Sequence, residues 1–167
     1  AQKGQPDDLR AAGYRPQRRG AAGRVIPPGY PRGVGVFLFK TEPTEYSFDD
    51  LVREKRCVWS GVTNAAARLA LRSCGVGDEV LIYHTGSEKR IVGVARVVGA
   101  PRRDPDSDDE KSVVVDLKPV GPVKRPVTLA EIKADRRFNG FALVKQSRLS
   151  VMRVPEELLG ALKEMME

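Results

Sequence analysis

One tryptophan and one histidine are the residues of this sequence best suited to bind or react. Trp59 is the single Trp and His84 the single His among the 167 residues. Trp59 stands beside Ser60 in a turn before an alanine-rich segment, and His84 follows Tyr83 at the end of an apolar run. An indole at the edge of an element offers a flat face for stacking. This placement predicts a pocket for a flat ligand.

Polar residues that suit such a pocket stand near the same element ends. Lys40 and Thr41 end the first apolar run, where a charge can meet a phosphate and a hydroxyl or amide can bond to a base. Asn64 offers a donor and an acceptor for a base edge, but it also fits a helix N-cap. Arg68 lies four residues later on the same helix face, where it can contact phosphate or pair with an acid. Arg148 is a weaker case of the same kind.

The cysteine and histidine content argues against a metal site. Cys57 and Cys74 match no metal-binding spacing, and His84 has no second ligand at such spacing. Free thiols in a reducing cytosol are expected. No apolar run reaches the length of a membrane span. We therefore expect a soluble monomer without metal or cofactor, cytoplasmic in a bacterium or nuclear in a eukaryote.

The net charge of +7 is unevenly distributed along the chain. Residues 1–33 carry seven basic residues against two acidic ones and are rich in Gly and Pro, so five of the seven net charges lie there. Such a composition predicts a flexible arm over residues 1–33 and a folded domain over residues 34–167. The arm can attract phosphate, although a dispensable tail is favoured. An acidic loop over residues 104–110 repels phosphate.

Strands alternate with short helices in the elements that must position these residues. Apolar runs predict strands near residues 34–40, 78–85, 90–98, 112–120 and 149–154. N-cap and capping signals predict short helices that follow Ser47, Asn64, Thr128 and Pro155, and Gly75 is expected to end the second of them. Gly93 inside a strand predicts a bulge or a close approach. Because no regular βαβ repeat occurs, the predicted fold is α+β, a mixed sheet of five or more strands curled into a barrel with short peripheral helices.

Several motifs of this chain resemble those of the EVE domain family. Residues 37–43, Phe-Leu-Phe-Lys-Thr-Glu-Pro, resemble its opening strand with a Lys-Ser-Glu-Pro signature. Residues 59–68 resemble its Trp-x-Gly-Val-Arg-Asn-Tyr-x-Ala-Arg motif, and residues 147–151 match a later position. The resemblance implies a PUA-like barrel over residues 34–167, related to the YTH domains that read methylated adenosine in RNA. It also implies an aromatic pocket for a modified base.

Three departures from the family pattern fall near that pocket. Thr63 stands where the family often has Arg, Ala65 and Ala66 replace bulkier residues, and Phe37 stands where the family often has Trp. The lost bulk and charge widen the site and leave the identity of the ligand open.

The residues and the resemblance together predict a non-enzymatic module that binds a modified base, for example a methylated one, in DNA or RNA. No catalytic residue and no metal ligand is predicted. The predicted ligand-binding residues are Lys40, Thr41, Trp59, Ser60, Asn64, Arg68, Tyr83, His84 and Thr85. One alternative is an enzyme that uses His84 as acid or base with Glu42 or Lys40 as its partner. Another is a protein-interaction module that has lost its ligand.

Overall fold

A six-stranded mixed sheet organises the computed structural model, which describes residues 35–167; the predicted arm over residues 1–33 lies outside them. The strands are β1 (Val36–Thr41), β2 (Cys57–Trp59), β3 (Glu79–His84), β4 (Arg90–Arg103), β5 (Val113–Thr128) and β6 (Val151–Arg153). Their order in the sheet is β2-β5-β4-β3-β1-β6. Strands β1 and β3 pair in parallel, and the other neighbours pair antiparallel. The predicted mixed sheet of five or more strands, curled with short helices around it, is confirmed as a half-barrel.

In the part of the chain that the structure describes, five short α-helices and one 3₁₀ turn surround the sheet. The helices are α1 (Phe48–Glu54), α2 (Ala65–Arg72), α3 (Leu129–Ala134), α4 (Ala142–Lys145) and α5 (Glu156–Met166), and the 3₁₀ turn is Arg136–Phe138. The predicted starts of α1 and α3 are confirmed, because Ser47 and Thr128 each form a capping box. Gly75 does not end α2 as predicted, since that helix stops at Ser73 in the right-handed conformation. Helix α4 was not predicted from the sequence.

Strand β5 runs eight residues beyond its predicted end near Val120 and contains three prolines. Strand β4 pairs with β5 on one side. On the other side, only residues 115–117 of β5 pair, with β2. The later part pairs with β4 alone, so one side of its backbone meets no strand among residues 35–167. A proline can stand in such a one-sided segment because its missing N–H removes no necessary ladder bond.

Gly93 confirms the close approach that its position in a strand predicted. The β3–β4 register shifts between Ile82 and Tyr83, opposite Gly93, which is the signature of a bulge. A Cβ atom at Gly93 would lie 2.5 Å from the Phe48 ring. The strand therefore has no side chain where the first residue of α1 packs onto the sheet.

The core fills both the space under α1 and the space beneath α2 and α5. Both cysteines are buried, and neither forms a disulfide, as expected. Burial raises the pKa of Cys57 to about 12, so its thiol stays protonated and unreactive at neutral pH.

Within residues 35–167, none of the helices is long and apolar enough to cross a membrane.

Candidate functional site

The adjacent ends of β1 and β3 bring five of the predicted residues together. We call Lys40, Thr41, Tyr83, His84 and Thr85 the strand-end site. The parallel register sets Lys40 beside Tyr83 and Thr41 beside His84. The Thr85 N–H donates to the Thr41 carbonyl oxygen at 2.9 Å and continues the ladder past the end of β3. Because parallel strands end at the same edge of a sheet, residues 42–45 positions apart in the chain become neighbours.

Lys40 and Tyr83 share one face of the sheet. The Lys40 ammonium nitrogen lies 5.7 Å from the centre of the Tyr83 ring, a cation–π distance. The same nitrogen donates a 3.1 Å hydrogen bond to the Ser147 carbonyl oxygen. Burial lowers the pKa of Lys40 and raises the pKa of Tyr83. A partly desolvated ammonium next to an aromatic face is suited to an anionic or polarised ligand group.

Thr41 and His84 face α1, on the opposite side of the sheet from Lys40. The Thr41 hydroxyl donates to the Tyr46 carbonyl oxygen at 2.6 Å. His84 Nε2 accepts the Phe48 N–H at 3.0 Å, and Nδ1 lies 3.2 Å from Glu88 Oε1. An acceptor Nε2 places the proton on Nδ1, which donates to the carboxylate. Both ring nitrogens of His84 are therefore engaged within the protein, and its role is to hold the start of α1.

Trp59 is part of the aromatic core rather than of the surface. It is 1% exposed, and its ring lies 5.5 Å from Phe39 and 6.2 Å from Tyr46, measured between centroids. The sequence placed Trp59 at an element edge with a face available for stacking; in the structure both neighbouring rings cover it. Stacking of a base on Trp59 stays a prediction, and it requires one of these rings to move.

Ser60, Asn64 and Arg68 form a separate group at the start of α2. Asn64 Oδ1 accepts the Ala67 N–H at 3.0 Å, which confirms the predicted N-cap. Ser60 and Arg68 line a cleft of about 530 Å³ whose other wall is the acidic loop over residues 104–109. The Arg68 side chain is 12% exposed, and its guanidinium pairs with Asp109 Oδ2 at 2.8 Å. Of the two partners that the sequence left open for Arg68, the structure shows the acid.

The root of the acidic loop is a buried ion pair between neighbouring strands. Asp116 is fully buried in β5, and its Oδ2 accepts a 2.9 Å hydrogen bond from Arg102 at the end of β4. Burial raises the pKa of Asp116, and Arg102 opposes that shift. A Cβ atom at Gly99 would lie 1.8 Å from the same carboxylate, so only glycine fits there.

Sequence reasoning missed two groups that complete the strand-end site. Glu42, which the sequence suggested only as a catalytic partner of His84, accepts the Thr85 hydroxyl at 3.1 Å. The Ser147 carbonyl oxygen comes from a turn more than a hundred residues away, which no local signal indicates. In the part of the chain that the structure describes, no group of three His, Cys, Asp or Glu residues is placed to hold a metal ion.

Comparison with known proteins matches this architecture to a family. The family model described as the EVE domain matches residues 35–165. The chain belongs to the EVE domain family. This confirms the resemblance drawn from residues 37–43 and 59–68, and with it the PUA-like fold.

Relatives of this EVE domain come from bacteria and animals. Thymocyte nuclear protein 1 of Homo sapiens is 28% identical over 155 residues, which cover 72% of this chain and 69% of the relative. A Rhodopseudomonas palustris protein solved by NMR is 38% identical, with a TM-score of 0.74 over 80% of this chain and 93% of its own. Human THYN1 protein in complex with 5-methylcytosine-containing DNA is 26% identical, with a TM-score of 0.71 over 80% of this chain and 98% of its own.

Proposed function

We propose that this EVE domain binds nucleic acid and recognises a modified base without catalysing a reaction. The observation that carries the proposal is the similarity to human THYN1 protein, whose crystal structure contains DNA with 5-methylcytosine. The likeness covers 80% of this chain. A shared fold alone does not assign a function, so the proposal also needs support from the residues of this chain.

Lys40 and Tyr83 supply that support on one face of the strand-end site. A half-buried ammonium over an aromatic ring can hold a phosphate or a base carbonyl, and the ring of Tyr83, a residue that is 3% exposed, supports that ammonium from within the sheet. Thr85 is half-buried, and its hydroxyl and Glu42 add polar groups at the same strand ends. These are the types of group that read a base turned out of its stack.

His84 supports the non-enzymatic part of the proposal. An acid or base catalyst needs a ring nitrogen within hydrogen-bond reach of its substrate. In this domain Nε2 is used by the Phe48 N–H and Nδ1 by Glu88, and the side chain is buried. A substrate would have to displace the start of α1 to reach Nε2. The predicted enzyme alternative therefore lacks an available acid or base at His84.

A second group of predicted residues stays in the proposal as contributors to base binding. The group consists of Thr41, Trp59, Ser60 and Asn64. Trp59 packs against Phe39, whose side chain lies on the same face of β1 as Thr41 and opposite Lys40, so a base that reaches the indole approaches from that face. Base stacking contributes about 1–3 kcal/mol. Unstacking the target base costs a few kcal/mol, so aromatic contact and polar contacts must offset that cost together.

Intrinsic fluorescence of the single Trp tests the proposal directly. The full chain is titrated with two short single-stranded DNAs that differ only in one 5-methyl group on cytosine. Binding is followed in parallel by anisotropy of a labelled strand. We expect tighter binding of the methylated strand and a change of Trp59 emission that a Trp59→Phe variant lacks.

Equal affinity for the two strands contradicts recognition of methylcytosine, and the same pair design then tests methylated adenine and RNA. Equal affinity across all pairs overturns the reading of a modified base. Preferential binding without a change of emission overturns the contribution of Trp59 alone.

A further inference from the structure

A basic segment borders the strand-end site. Residues 136–155 contain five basic residues and no acidic residue. Part of this segment is the turn over residues 145–149, between α4 and β6, which we call the basic turn. It contains Lys145 and Arg148, and both side chains are exposed. The charge of this turn lies beside a site whose proposed ligand is a polyanion.

Lys40 of strand β1 holds the basic turn through two hydrogen bonds, one inside the turn and one to the residue that follows it. The Lys40 ammonium donates to the Ser147 carbonyl oxygen at 3.1 Å, and the Lys40 N–H donates to the Ser150 carbonyl oxygen at 2.8 Å. Inside the turn, the Leu149 N–H donates to the Gln146 carbonyl oxygen at 3.1 Å, and the Leu149 side chain is buried. Arg148 therefore projects from a fixed backbone one residue from the group that contacts Lys40.

Among residues 35–167, Lys145 and Arg148 differ from several other basic residues of the surface because neither has an acidic partner. Over residues 35–167, no carboxylate lies within 4.0 Å of either side chain, whereas Arg125 pairs with Glu131 and Arg137 with Asp135. An exposed cation without a counter-charge can neutralise a phosphate without first breaking an ion pair. The basic turn is thus available for a strand that the proposed site would hold.

We propose that the basic turn binds the phosphate backbone of the nucleic acid strand whose base enters the strand-end site. Lys145 and Arg148 each contact one phosphate, and Lys40 links this surface to the base. The inference rests on the proposed function and adds the path of the strand. That path leads away from the cleft beside Arg68, where the acidic loop repels phosphate.

Salt dependence identifies phosphate contacts, because each one releases counterions. The logarithm of the binding constant falls with the logarithm of the salt concentration, with a slope of about −0.7 per phosphate contact for single strands. A phosphate contact is also indifferent to base identity. Loss of Arg148 should therefore weaken binding of modified and unmodified strands by the same factor.

The test uses Arg148→Ala, Lys145→Ala and their double variant in the full chain, with Arg125→Ala as the matched control. The two methyl-matched DNA strands are titrated by anisotropy at four salt concentrations. We expect each single variant to bind both strands about three- to tenfold more weakly and to flatten the slope by about 0.7. The double variant should flatten it by about twice that amount, and Arg125→Ala should match the wild type.

The outcomes separate the two proposals. An unchanged slope in the double variant, with the methyl preference intact, overturns the basic turn as the phosphate surface and leaves the proposed function standing. A flattened slope without any base preference supports the phosphate surface and overturns base reading. No binding by the wild type overturns both. Since these side chains are exposed, unchanged thermal melting is expected for every variant.

Discussion

The acidic loop and the basic turn are opposites in charge and in the way they are attached to the sheet. Residues 104–110 contain five acidic residues and no basic one, whereas the basic turn, residues 145–149, contains two basic residues and no acidic one. Side chains hold the acidic loop, through Arg68 on Asp109 and Arg72 on the Lys111 carbonyl oxygen. Lys40 holds the basic turn by its backbone and its ammonium group.

This difference shows how the charges of one small domain can favour one path for a bound polyanion over another. Asp109 of the acidic loop neutralises the positive charge of Arg68 by an ion pair, so the cleft beside them attracts a phosphate only weakly. The basic turn leaves its charges available and stands beside the strand ends. A strand bound there gains attraction on one side and meets repulsion on the other. The cleft between Arg68 and the acidic loop is therefore not where we expect the ligand.

The largest effect is expected at the root of the acidic loop. Asp116→Ala leaves Arg102 partly buried without its carboxylate, and breaking such a pair costs about 3 kcal/mol. We expect a loss of about that size in the free energy of unfolding, measured by urea denaturation. Arg125→Ala, at an exposed pair, should change it by less than about 0.5 kcal/mol.

Nucleic-acid affinity of the Asp116→Ala variant should stay within about twofold of the wild type at a temperature where it is folded. A larger loss of affinity would show that the acidic side of the domain also carries the ligand, and would remove the contrast between the two regions.

The second largest effect is expected at Lys40, which holds the basic turn by hydrogen bonds. Lys40→Met keeps most of the apolar stem but removes the charged hydrogen bond to the Ser147 carbonyl oxygen. The same ammonium is proposed to meet the ligand, and a hydrogen bond between a charged group and the ligand contributes about 1.5 kcal/mol, which corresponds to about tenfold in affinity. We expect about tenfold weaker binding and faster amide exchange at Leu149. Lys133→Met, an exposed lysine of α3, serves as the control and should change neither quantity.

A smaller effect should distinguish Arg68 from the basic turn as a phosphate contact. Asp109→Asn frees Arg68 from its ion pair, and Asp108→Asn removes the same charge from the same loop without touching that pair. Both should raise affinity by less than about twofold at 0.15 M salt, because screening weakens charges that lie away from the strand. If Asp109→Asn binds several-fold more tightly than Asp108→Asn, the strand crosses the acidic cleft after all.

The smallest effect concerns the acidic loop and pH. The Lys111 N–H and then Arg68 hold the pKa of Asp109 below its ordinary value of 3.8. A lowered pKa in the folded state stabilises the protein above the unfolded pKa, and this stabilisation is lost as pH falls through the folded pKa. The Tm of the wild type should exceed that of Asp109→Asn above about pH 5, and the two should converge below about pH 2. A difference that persists at low pH would assign it to the amide rather than to the ion pair.

Local signals in the sequence were sufficient for most elements and for the family. Ser47 and Thr128 predicted helix starts because a capping box needs only four consecutive residues. Gly93 predicted a close approach because a missing Cβ in a strand has few other uses. The motifs at residues 37–43 and 59–68 were enough to indicate the EVE domain family and hence the PUA-like fold.

The tertiary structure alone decided what surrounds the candidate site residues. Trp59 is covered by Phe39 and Tyr46, and the contact from His84 to Phe48 spans 36 positions of the chain. Arg68 pairs with Asp109, although the sequence had left a phosphate group and an acidic residue as equally suitable partners. Periodicity and capping report how a residue sits on its own element. They carry no information on which distant element packs against it, because that is set by the parallel pairing of β1 with β3 and by the curl of the sheet.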